Sequence, residues 1–334
     1  MQHLHHFGLV DDPFRNEPRL EFYLDTPQHR GAQQRLERSV RQSKGLSVLI
    51  GEAGSGKTMI ARRLLDSLEE EMFAASMLVV LKGNADCSWM LTQFAKQLEV
   101  EDRNLDRDAL LGQVYEKLAI IREEGRHAVL IIDDAQALAA PETLAEVCGF
   151  LKLEYEDRPL LSMVLVGVPR LERALANDPV LARRAAVKVR IAPLDAESAA
   201  AYLTHRIERV RGNPEIFEPD AVRRLTELGG GMPGLMNTLG DNALFEAFLC
   251  GRNRVSRVDV ERVFEDLGWE PCPQLPDADS APLQSAQVLQ PAGPGSEELL
   301  PMDAATPLVD ALIGPPKTEE DDFEDDLMVE LIED

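Results

Sequence analysis

The sequence predicts an α/β fold in which a parallel sheet of five strands lies between two layers of helices. Between residues 46 and 192, short apolar runs alternate with segments whose apolar residues recur at helical spacing, which is typical of strands joined by helical crossovers. A glycine-rich turn joins the first apolar run to the first helical segment. From residue 195 onward only helical patterns remain, which predicts a second, smaller helical domain.

The apolar runs give the strands, and the segments between and after them give the helices. The predicted strands are 46–50, 77–81, 128–132, 161–167 and 187–191. Pro141 indicates a helix start between the third and fourth strands, because proline is favoured at the first helical position. In the second domain, Asp195 and Ser256 are candidate N-caps. Helices are predicted there at about 195–210, 219–228, 233–250 and 256–267.

The glycine-rich turn fits the phosphate-binding pattern G-x-x-x-x-G-K-[ST]. Glycines let backbone N–H groups turn inward, and the N-terminus of the next helix favours an anion. Lys57 can reach the terminal phosphates of a nucleotide, and the Thr58 hydroxyl can hold Mg²⁺. A glycine turn with an ordinary surface lysine is the alternative, but the flanking strand and helix favour a nucleotide site. The predicted nucleotide-binding residues are Gly51, Glu52, Ala53, Gly54, Ser55, Gly56, Lys57, Thr58 and Met59.

A second acidic motif follows the third predicted strand, which ends in Asp133-Asp134. A carboxylate at the tip of a strand beside the phosphate-loop strand can hold Mg²⁺, and the next acidic residue can polarise an attacking water. Many strands end in a solvated acidic turn, but a position 75 residues after Thr58 in an alternating region favours a metal site. Thr58 and Asp133 are therefore the predicted metal residues, and Asp134 is a predicted catalytic residue.

The bulk composition supports a folded cytoplasmic protein. The chain has 334 residues, 44% of them apolar, which is enough for a sizeable core. No apolar stretch approaches the roughly 20 residues of a membrane span, and the first residues do not resemble a signal peptide. The four cysteines are scattered without metal or redox spacing, which fits a reducing compartment.

The charge is strongly negative and unevenly distributed. The net charge is −24, and the stretch from Glu270 onward contains 17 acidic residues and one basic residue, Lys317. The remaining body carries −8, which disfavours binding to a phosphate backbone and makes nucleic acid an unlikely partner. A local basic patch stays open as an alternative. Its candidate residues are Arg183, Arg184, Lys188 and Arg190.

Residues 269–334 are predicted to be a disordered, acidic and proline-rich tail. Ten of the 21 prolines fall there, and the apolar density is low. Phe323, Leu327 and Leu331 are spaced i, i+4 and i+8 among carboxylates. The tail is therefore either a solubilising extension or a short motif that folds onto a partner with a basic-rimmed groove, for example on this protein's own body.

Several short motifs occur in order along residues 4–268. They are Phe7-Gly8-Leu9 with Pro13-Phe14, Phe22-Tyr23 with His29, the phosphate loop, Asp133-Asp134-Ala135-Gln136, Leu165-Val166-Gly167-Val168-Pro169-Arg170-Leu171, and Gly230-Gly231-Met232-Pro233-Gly234-Leu235-Met236-Asn237. As a set they resemble the AAA+ ATPases, and more closely the ATPases of the general secretion pathway protein A (ExeA/GspA) type. The resemblance does not extend to the tail.

The resemblance implies a domain plan and a set of ligands. It implies an N-terminal segment (1–45) packed on the ATPase core, a P-loop AAA+ core (46–194) and a helical lid (195–268). ATP and Mg²⁺ would be the ligands, and the N-terminal aromatic residues would pack near the adenine, with plain core packing as the alternative for each. Members of this family assemble, so a homo-oligomer is expected.

The resemblance also implies roles for individual residues. Lys57, Thr58, Asp133 and Gln136 would take nucleotide, metal and signalling roles, and Gln136 is counted among the catalytic residues. Arg184 falls at the position of the family's arginine finger, which reaches the nucleotide of a neighbouring subunit. A surface arginine that precedes a strand is an equal alternative for Arg184.

Three departures from the family pattern affect hydrolysis rather than binding. Asp134 replaces a glutamate and moves the carboxylate back by one methylene; misplacing a catalytic group by about 1 Å can cost on the order of a hundredfold in rate. Val168 replaces a polar residue at the tip of the fourth strand. Gly234 replaces a lid arginine. We therefore expect secure nucleotide binding and slow or partner-dependent turnover.

The expected function is a cytoplasmic ATPase that supports a membrane-associated assembly, such as secretion or pilus machinery, and that meets the inner membrane through protein partners. The alternatives are a non-hydrolysing nucleotide switch or scaffold, and a DNA-associated ATPase that resembles transposition helper proteins. A P-loop kinase is a more distant alternative, because no acceptor-binding insertion is apparent.

Overall fold

The computed structural model describes residues 2–80, 86–100 and 106–270. The predicted tail lies outside these ranges from residue 271 onward, and so do its motif residues Phe323, Leu327 and Leu331. Within the described ranges, no helix combines the length and the apolar character that crossing a membrane requires.

The described elements follow the predicted alternation of strands and helices. The helices are α1 (Gln2–His6), α2 (Pro27–Arg41), α3 (Lys57–Asp66), α4 (Cys87–Gln97), α5 (Arg107–Glu123), α6 (Pro141–Phe150), α7 (Pro169–Ala176), α8 (Pro179–Arg184), α9 (Ala196–Arg209), α10 (Pro219–Leu228), α11 (Pro233–Leu249) and α12 (Arg257–Asp266). The strands are β1 (Leu46–Gly51), β2 (Phe73–Val79), β3 (His127–Asp133), β4 (Glu154–Tyr155), β5 (Arg158–Pro159), β6 (Leu161–Gly167) and β7 (Ala185–Ile191).

Five of these strands form one parallel sheet with the order β2-β3-β6-β1-β7, which confirms the predicted fold class. The three central strands β1, β3 and β6 are buried along their whole length, as expected for parallel strands covered on both faces. Because all five strands run in one direction, the carboxyl ends of β1, β3 and β6 meet at the same edge of the sheet.

The second strand differs from the prediction. It was predicted at 77–81, from the apolar run that begins at Met77, but it spans Phe73–Val79 and pairs with β3 from Phe73 opposite His127 to Val79 opposite Asp133. The strand lies at the edge of the sheet, where Ala74, Ala75 and Ser76 are only half-buried. Backbone pairing with β3 defines the strand there, so its first half lacks the apolar signal that sequence patterns rely on.

Helices cover both faces of the sheet, with two apolar clusters. On one face, α2 and α3 pack through residues such as Leu36 and Ile60 against Leu49 of β1. On the other face, the neighbouring residues Val48 and Ile50 lie in a larger cluster with α4 to α8. The alternation along β1 is the two-residue period of a strand, and it places the sheet at the centre of the molecule.

The lid is a third apolar cluster built from α9 to α12. The sequence analysis placed residues 1–45 on the ATPase core, whereas the structure divides this segment. Its first part packs in the lid cluster through Leu4, Phe7, Leu9, Phe14 and Phe22, and α2 packs on the sheet. The aromatic side chains of the first part find their apolar partners on the lid helices, so the chain starts on the lid and then crosses to the sheet.

His127 at the start of β3 is a buried histidine outside the nucleotide site, with 5% of its surface exposed. Its Nε2 lies 2.9 Å from Ser162 Oγ, and within the described part of the chain its Nδ1 has no hydrogen-bond partner. Burial, assisted by the positive charge of Arg122, lowers the pKa of His127 to about 4. The ring is therefore neutral in the folded protein near pH 7, and its protonation opposes folding.

This lowered pKa predicts a loss of stability in acid. An unfolded histidine titrates near pH 6.5. The stability that the neutral His127 ring contributes is therefore fully present above that pH and is lost as the pH falls toward 4. Between pH 7 and pH 5 the wild type should lose on the order of 2 kcal/mol more unfolding free energy than His127→Gln. Urea unfolding of both proteins at the two pH values measures the difference. An equal loss in both would show that His127 is not the source.

Candidate nucleotide-binding site

The phosphate loop connects β1 to α3, as the sequence predicted. Gly54 and Gly56 have φ angles of +78° and +89°, in the left-handed region that favours glycine. Gly56 precedes the first residue of α3, so the helix begins directly at the loop. A glycine loop that leads directly into a helix N-terminus is the arrangement that favours an anion.

Gly51 is required by close packing rather than by its φ angle. A Cβ atom on Gly51 would lie 2.6 Å from Ser55 Oγ and 3.1 Å from the carbonyl oxygen of Ile191 on β7. Ser55 itself is buried, and its Oγ has no hydrogen-bond partner among the described residues. The base of the loop is therefore tightly packed, with one buried hydroxyl left available to hydrogen-bond with a ligand.

Lys57 and Asp133 place opposite charges at the mouth of the cradle. The Lys57 Nζ donates a hydrogen bond to the carbonyl oxygen of Glu52 at 2.8 Å, which folds the side chain over its own loop. Burial lowers the pKa of Lys57, and the carboxylates of Asp133 and Asp134 oppose this shift. Burial likewise raises the pKa of Asp133, against the hydrogen bond that this carboxylate accepts. Each charge therefore offsets part of the desolvation of the other.

Thr58 and Asp133, the two predicted metal residues, are brought together by the fold. The Thr58 hydroxyl donates to Asp133 Oδ2 at 2.6 Å, across 75 residues of sequence. A hydroxyl beside a carboxylate, facing a phosphate cradle, is the oxygen donor set that suits Mg²⁺ with a nucleotide. The donor chemistry and the cradle thus fit a nucleotide with its Mg²⁺, and Lys57, Thr58 and Asp133 are the residues that would hold it.

Asp134 and Gln136 form a second polar group beside this one. The Gln136 side-chain Nε2 donates to Asp134 Oδ1 at 2.9 Å, and its Oε1 accepts from the backbone N–H of Val168 at 3.2 Å. Gln136 thus lies over Gly167, where a Cβ atom would come within 2.8 Å of Oε1. The tip of β6 lacks a polar side chain of its own at Val168, but the amide of Gln136 occupies the adjacent space.

A cavity of about 410 Å³ adjoins the phosphate loop. Two of the four N-terminal aromatic residues, Phe22 and Tyr23, line it, whereas Phe7 and Phe14 pack inside the lid cluster. The prediction that these residues surround a base is therefore compatible with the first pair only, and core packing describes the second pair. Other lining residues come from the lid, among them Tyr202, Arg206 and Asn237.

The sequence analysis missed Arg206, a buried cation on the lid helix α9 with 2% of its surface exposed. It donates hydrogen bonds to the carbonyl oxygens of Pro13 and of Arg15, the latter at 2.6 Å. Its guanidinium lies 4.1 Å from the centre of the Phe22 ring. Burial lowers the pKa of Arg206. The sequence did contain a signal for this residue. Arg206 lies between Leu203 and Ile207, on the apolar face of a predicted helix.

His29 lies behind the loop, at the start of α2. Its Nδ1 is 2.6 Å from Thr26 Oγ1, and its Nε2 lies 3.7 Å from the position that a Cβ atom on Gly56 would occupy. Burial lowers the pKa of His29, while a hydrogen bond to the backbone of Ser55 opposes the shift. The histidine, noticed in the sequence only through the family resemblance, therefore supports the loop from behind.

The lid touches the phosphate loop directly through two glycines. The backbone N–H of Gly234, at the start of α11, donates to the carbonyl oxygen of Gly54 at 2.9 Å. A Cβ atom on Gly234 would lie 3.0 Å from the Gly54 Cα, so a side chain here would press on backbone rather than on a flexible group. At Gly234, lid and loop are thus joined by a close contact between their backbones.

Arg184 lies far from its own phosphate loop. It stands at the end of α8, immediately before β7, and the register pairs Ala185 with Leu46 at the first residue of β1. The loop follows the last residue of β1, at the other end of the strand. The Arg184 guanidinium donates to the carbonyl oxygen of Leu151 at 3.2 Å. The structure therefore brings together the phosphate-loop and acidic-motif residues but not Arg184.

Comparisons with known proteins agree with this architecture. A family model described as AAA domain matches residues 40–175. The ORC2 protein of Aeropyrum pernix superimposes with a TM-score of 0.60 at 16% identity, covering 78% of this chain and 72% of that one. CDC6p from Pyrobaculum aerophilum superimposes with a TM-score of 0.60 at 20% identity, covering 77% and 71%. The chain therefore shares its fold with these two proteins, and residues 40–175 are similar to the AAA domain.

Two curated proteins are similar to this chain in sequence. General secretion pathway protein A of Aeromonas hydrophila is 28% identical over 257 residues, 76% of this chain and 46% of that protein. An ORC1-type DNA replication protein of Cenarchaeum symbiosum is 25% identical over 230 residues, 62% of this chain and 54% of that protein. The chain spans about half the length of these curated relatives. Over about three quarters of its length, the chain is therefore similar to general secretion pathway protein A.

The contact between Gly234 and Gly54 predicts that Gly234→Ala increases the mobility of the phosphate loop and of α11. The added methyl group should push α11 away from Gly54 and weaken a backbone hydrogen bond worth about 0.5–1.5 kcal/mol. Hydrogen exchange of the loop and α11 amides, followed by mass spectrometry without nucleotide, should show faster exchange in the variant.

The matched control is Gly149→Ala in α6, because a Cβ atom there meets nothing within 4 Å. Alanine is the better helix former by about 1 kcal/mol, so this control should leave exchange at the loop unchanged or slow it globally. Equal exchange in the wild type and Gly234→Ala would contradict a role for the glycine contact.

Proposed function

We propose that this protein binds ATP with Mg²⁺ and hydrolyses it slowly or only with a partner. The observation that carries the proposal is the Thr58–Asp133 hydrogen bond of 2.6 Å at the mouth of the glycine loop. It joins the two motifs that a P-loop NTPase needs, beside a cavity large enough to admit part of a nucleoside.

The residues of the loop would act mainly by position and charge. Lys57 would exchange its bond to the Glu52 carbonyl for the terminal phosphates, a charge-assisted contact stronger than the neutral one it leaves. Thr58 and Asp133 would turn their oxygens toward the metal, and Ser55 would gain a partner for its buried hydroxyl. Bound Mg²⁺ supplies charge neutralisation at the phosphates.

Slow turnover follows from the surroundings of Asp134. Its carboxylate is one methylene shorter than the family's glutamate, and the amide of Gln136 already holds it at 2.9 Å. We propose that Asp134 orients the attacking water and that Gln136 links its position to the tip of β6. The same features favour the second candidate, a nucleotide switch that does not hydrolyse, because they constrain the acidic group without weakening the cradle.

The cellular role is proposed from the relatives' names. General secretion pathway protein A is among the sequence relatives, so we propose a cytoplasmic ATPase that supports a membrane-associated assembly and reaches the inner membrane through partners. A homo-oligomer in which Arg184 serves a neighbouring subunit fits its distance from its own loop. An ORC1-type replication protein is also a relative, and a DNA-associated role is the further alternative.

The binding proposal predicts a strong loss of affinity in Lys57→Ala. Removal of the ammonium deletes a charge-assisted contact of about 1.5–3 kcal/mol, so the Kd for ATP–Mg²⁺ should rise by at least tenfold. Isothermal titration calorimetry of the full chain measures this change. Lys117→Ala, which removes an exposed lysine of α5, is the control and should bind as the wild type does. Equal affinity in all three proteins would exclude the loop as the site.

The hydrolysis proposal predicts that two substitutions of Asp134 change the rate of ATP hydrolysis in opposite directions. Asp134→Glu should raise the rate of phosphate release, because it returns the carboxylate to the family distance, and Asp134→Asn should abolish release while ATP still binds. Phosphate release under single-turnover conditions separates the candidates. A wild type that binds ATP without releasing phosphate would support the switch, and an unchanged rate in Asp134→Asn would remove Asp134 from catalysis.

A further inference from the structure

Positive charge gathers along one edge of the sheet although the body as a whole is acidic. Seven basic residues lie on α2, on α8 and β7, and on the turns that follow α2 and α6. We call this surface the basic edge. Its residues are Arg35, Arg38, Lys44, Lys152, Arg183, Arg184 and Lys188.

The packing of α2 against the sheet decides where the two arginines of this helix lie. Gln28 bonds the backbone of Ala192 just after β7, so α2 runs antiparallel to β7. Gln33 contacts Ser67, and Arg41 contacts Glu69, on the side of α3. Arg35 lies about half a helical turn from Gln33, and Arg38 lies between Arg35 and Arg41 around the helix, so both arginines are exposed on the outer side of α2.

The remaining charges meet at the start of β1 and β7. The register places Leu46 beside Ala185, so Lys44 lies near the end of α8 and its two arginines. Arg184 bonds the Leu151 carbonyl, which brings Lys152 to the same corner. Lys188 follows on β7, the last strand of the sheet. Its register partner Val48 faces the cluster of α4 to α8, so Lys188 lies on the sheet face opposite α2. The basic edge therefore wraps around β7, with Arg35 and Arg38 on one side of the strand and Lys188 on the other.

These seven side chains lack the ion pairs that other cations have. The described part of the chain contains sixteen ion pairs, and none includes a residue of the basic edge. The carboxylate of Asp178 lies near this corner, where it accepts hydrogen bonds from the first turn of α8. A cluster of like charges that form none of the described ion pairs favours the binding of a polyanion.

The chain itself supplies such a polyanion. Residues 318–334 contain ten carboxylates and no basic residue, together with Phe323, Leu327 and Leu331. This acidic segment is joined to the described body by residues 271–317, which can span up to roughly 160 Å when extended. A body of this size has a radius of gyration of about 18 Å, so the segment can reach any part of its surface.

We propose that the acidic segment, residues 318–334, docks on the basic edge of its own chain. Covalent attachment raises its effective concentration to the millimolar range, which a free polyanion such as nucleic acid must exceed. The docked segment covers Arg183 and Arg184, so it closes this edge to other acidic or phosphate-bearing partners until they displace it. The contact is between exposed charges and weakens with salt, because the Debye length is only about 8 Å at 0.15 M.

Zero-length carbodiimide cross-linking of the full chain tests the proposal, because it joins a carboxylate to a lysine in direct contact. Peptide mapping at low salt should recover links from residues 319–334 to Lys44, Lys152 and Lys188, and few to Lys96 and Lys117 of α4 and α5. The links should fall at least fivefold in 0.5 M NaCl and in Arg35→Glu/Arg38→Glu. Arg209→Glu/Arg211→Glu, an exposed pair at the end of α9, is the matched control and should keep them.

Mixing isotopically light and heavy protein shows which copy supplies the segment. Links within one isotope support the proposal, whereas links that join the two isotopes would assign the occupant to a second copy and overturn it. Links spread evenly over all lysines, or unchanged by Arg35→Glu/Arg38→Glu, would also overturn it. So would tight, salt-sensitive binding of a DNA duplex by the full chain without any of these links, because nucleic acid would then be the occupant.

Discussion

The hydrogen bond between Thr58 and Asp133 depends on one constraint, the parallel direction of β1 and β3 with β6 between them. Parallel strands end at the same edge of the sheet, so two motifs that are 75 residues apart in sequence become neighbours. The central strands are buried on both faces, and this burial holds their tips in fixed positions. The loop, the lid contact and the polar group at Gln136 are all built on this edge.

At that edge of the sheet, Lys57 and Asp133 carry opposite charges, and each offsets part of the desolvation of the other. Burial lowers the pKa of Lys57 and raises the pKa of Asp133, so each group alone would tend to lose its charge. Their proximity opposes both shifts, and the Glu52 carbonyl and Thr58 hydroxyl provide hydrogen bonds. Opposite charges and hydrogen bonds therefore favour, at this edge, the charged forms that burial alone would disfavour.

The N-terminal segment and the lid form one continuous structure around the cavity. Arg206 on α9 holds the backbone at Pro13 and Arg15, while Arg62 on α3 donates to the carbonyl oxygen of Pro18. The segment thus contacts both the lid and the core helix α3. Together with the backbone contact between Gly234 and Gly54, it gives the lid two mechanical connections to the phosphate loop.

The sequence by itself determined the fold class, four of the five sheet strands and the residues of the loop and the acidic motif. These features are local, because apolar periodicity, glycine spacing and a carboxylate after a strand are written in consecutive residues. The start of β2 at Phe73 is not written in consecutive residues. The first half of this edge strand contains mainly alanine and serine, and pairing with β3 defines it.

Only the tertiary structure decided which distant groups meet. The position of Gln136 over Gly167 and the role of Arg206 depend on contacts between elements far apart in sequence. The tight contact of Gly234 with Gly54 is of the same kind, because a glycine in a sequence does not disclose what its missing side chain would touch. Side-chain partners across elements follow from packing geometry, which no local pattern encodes.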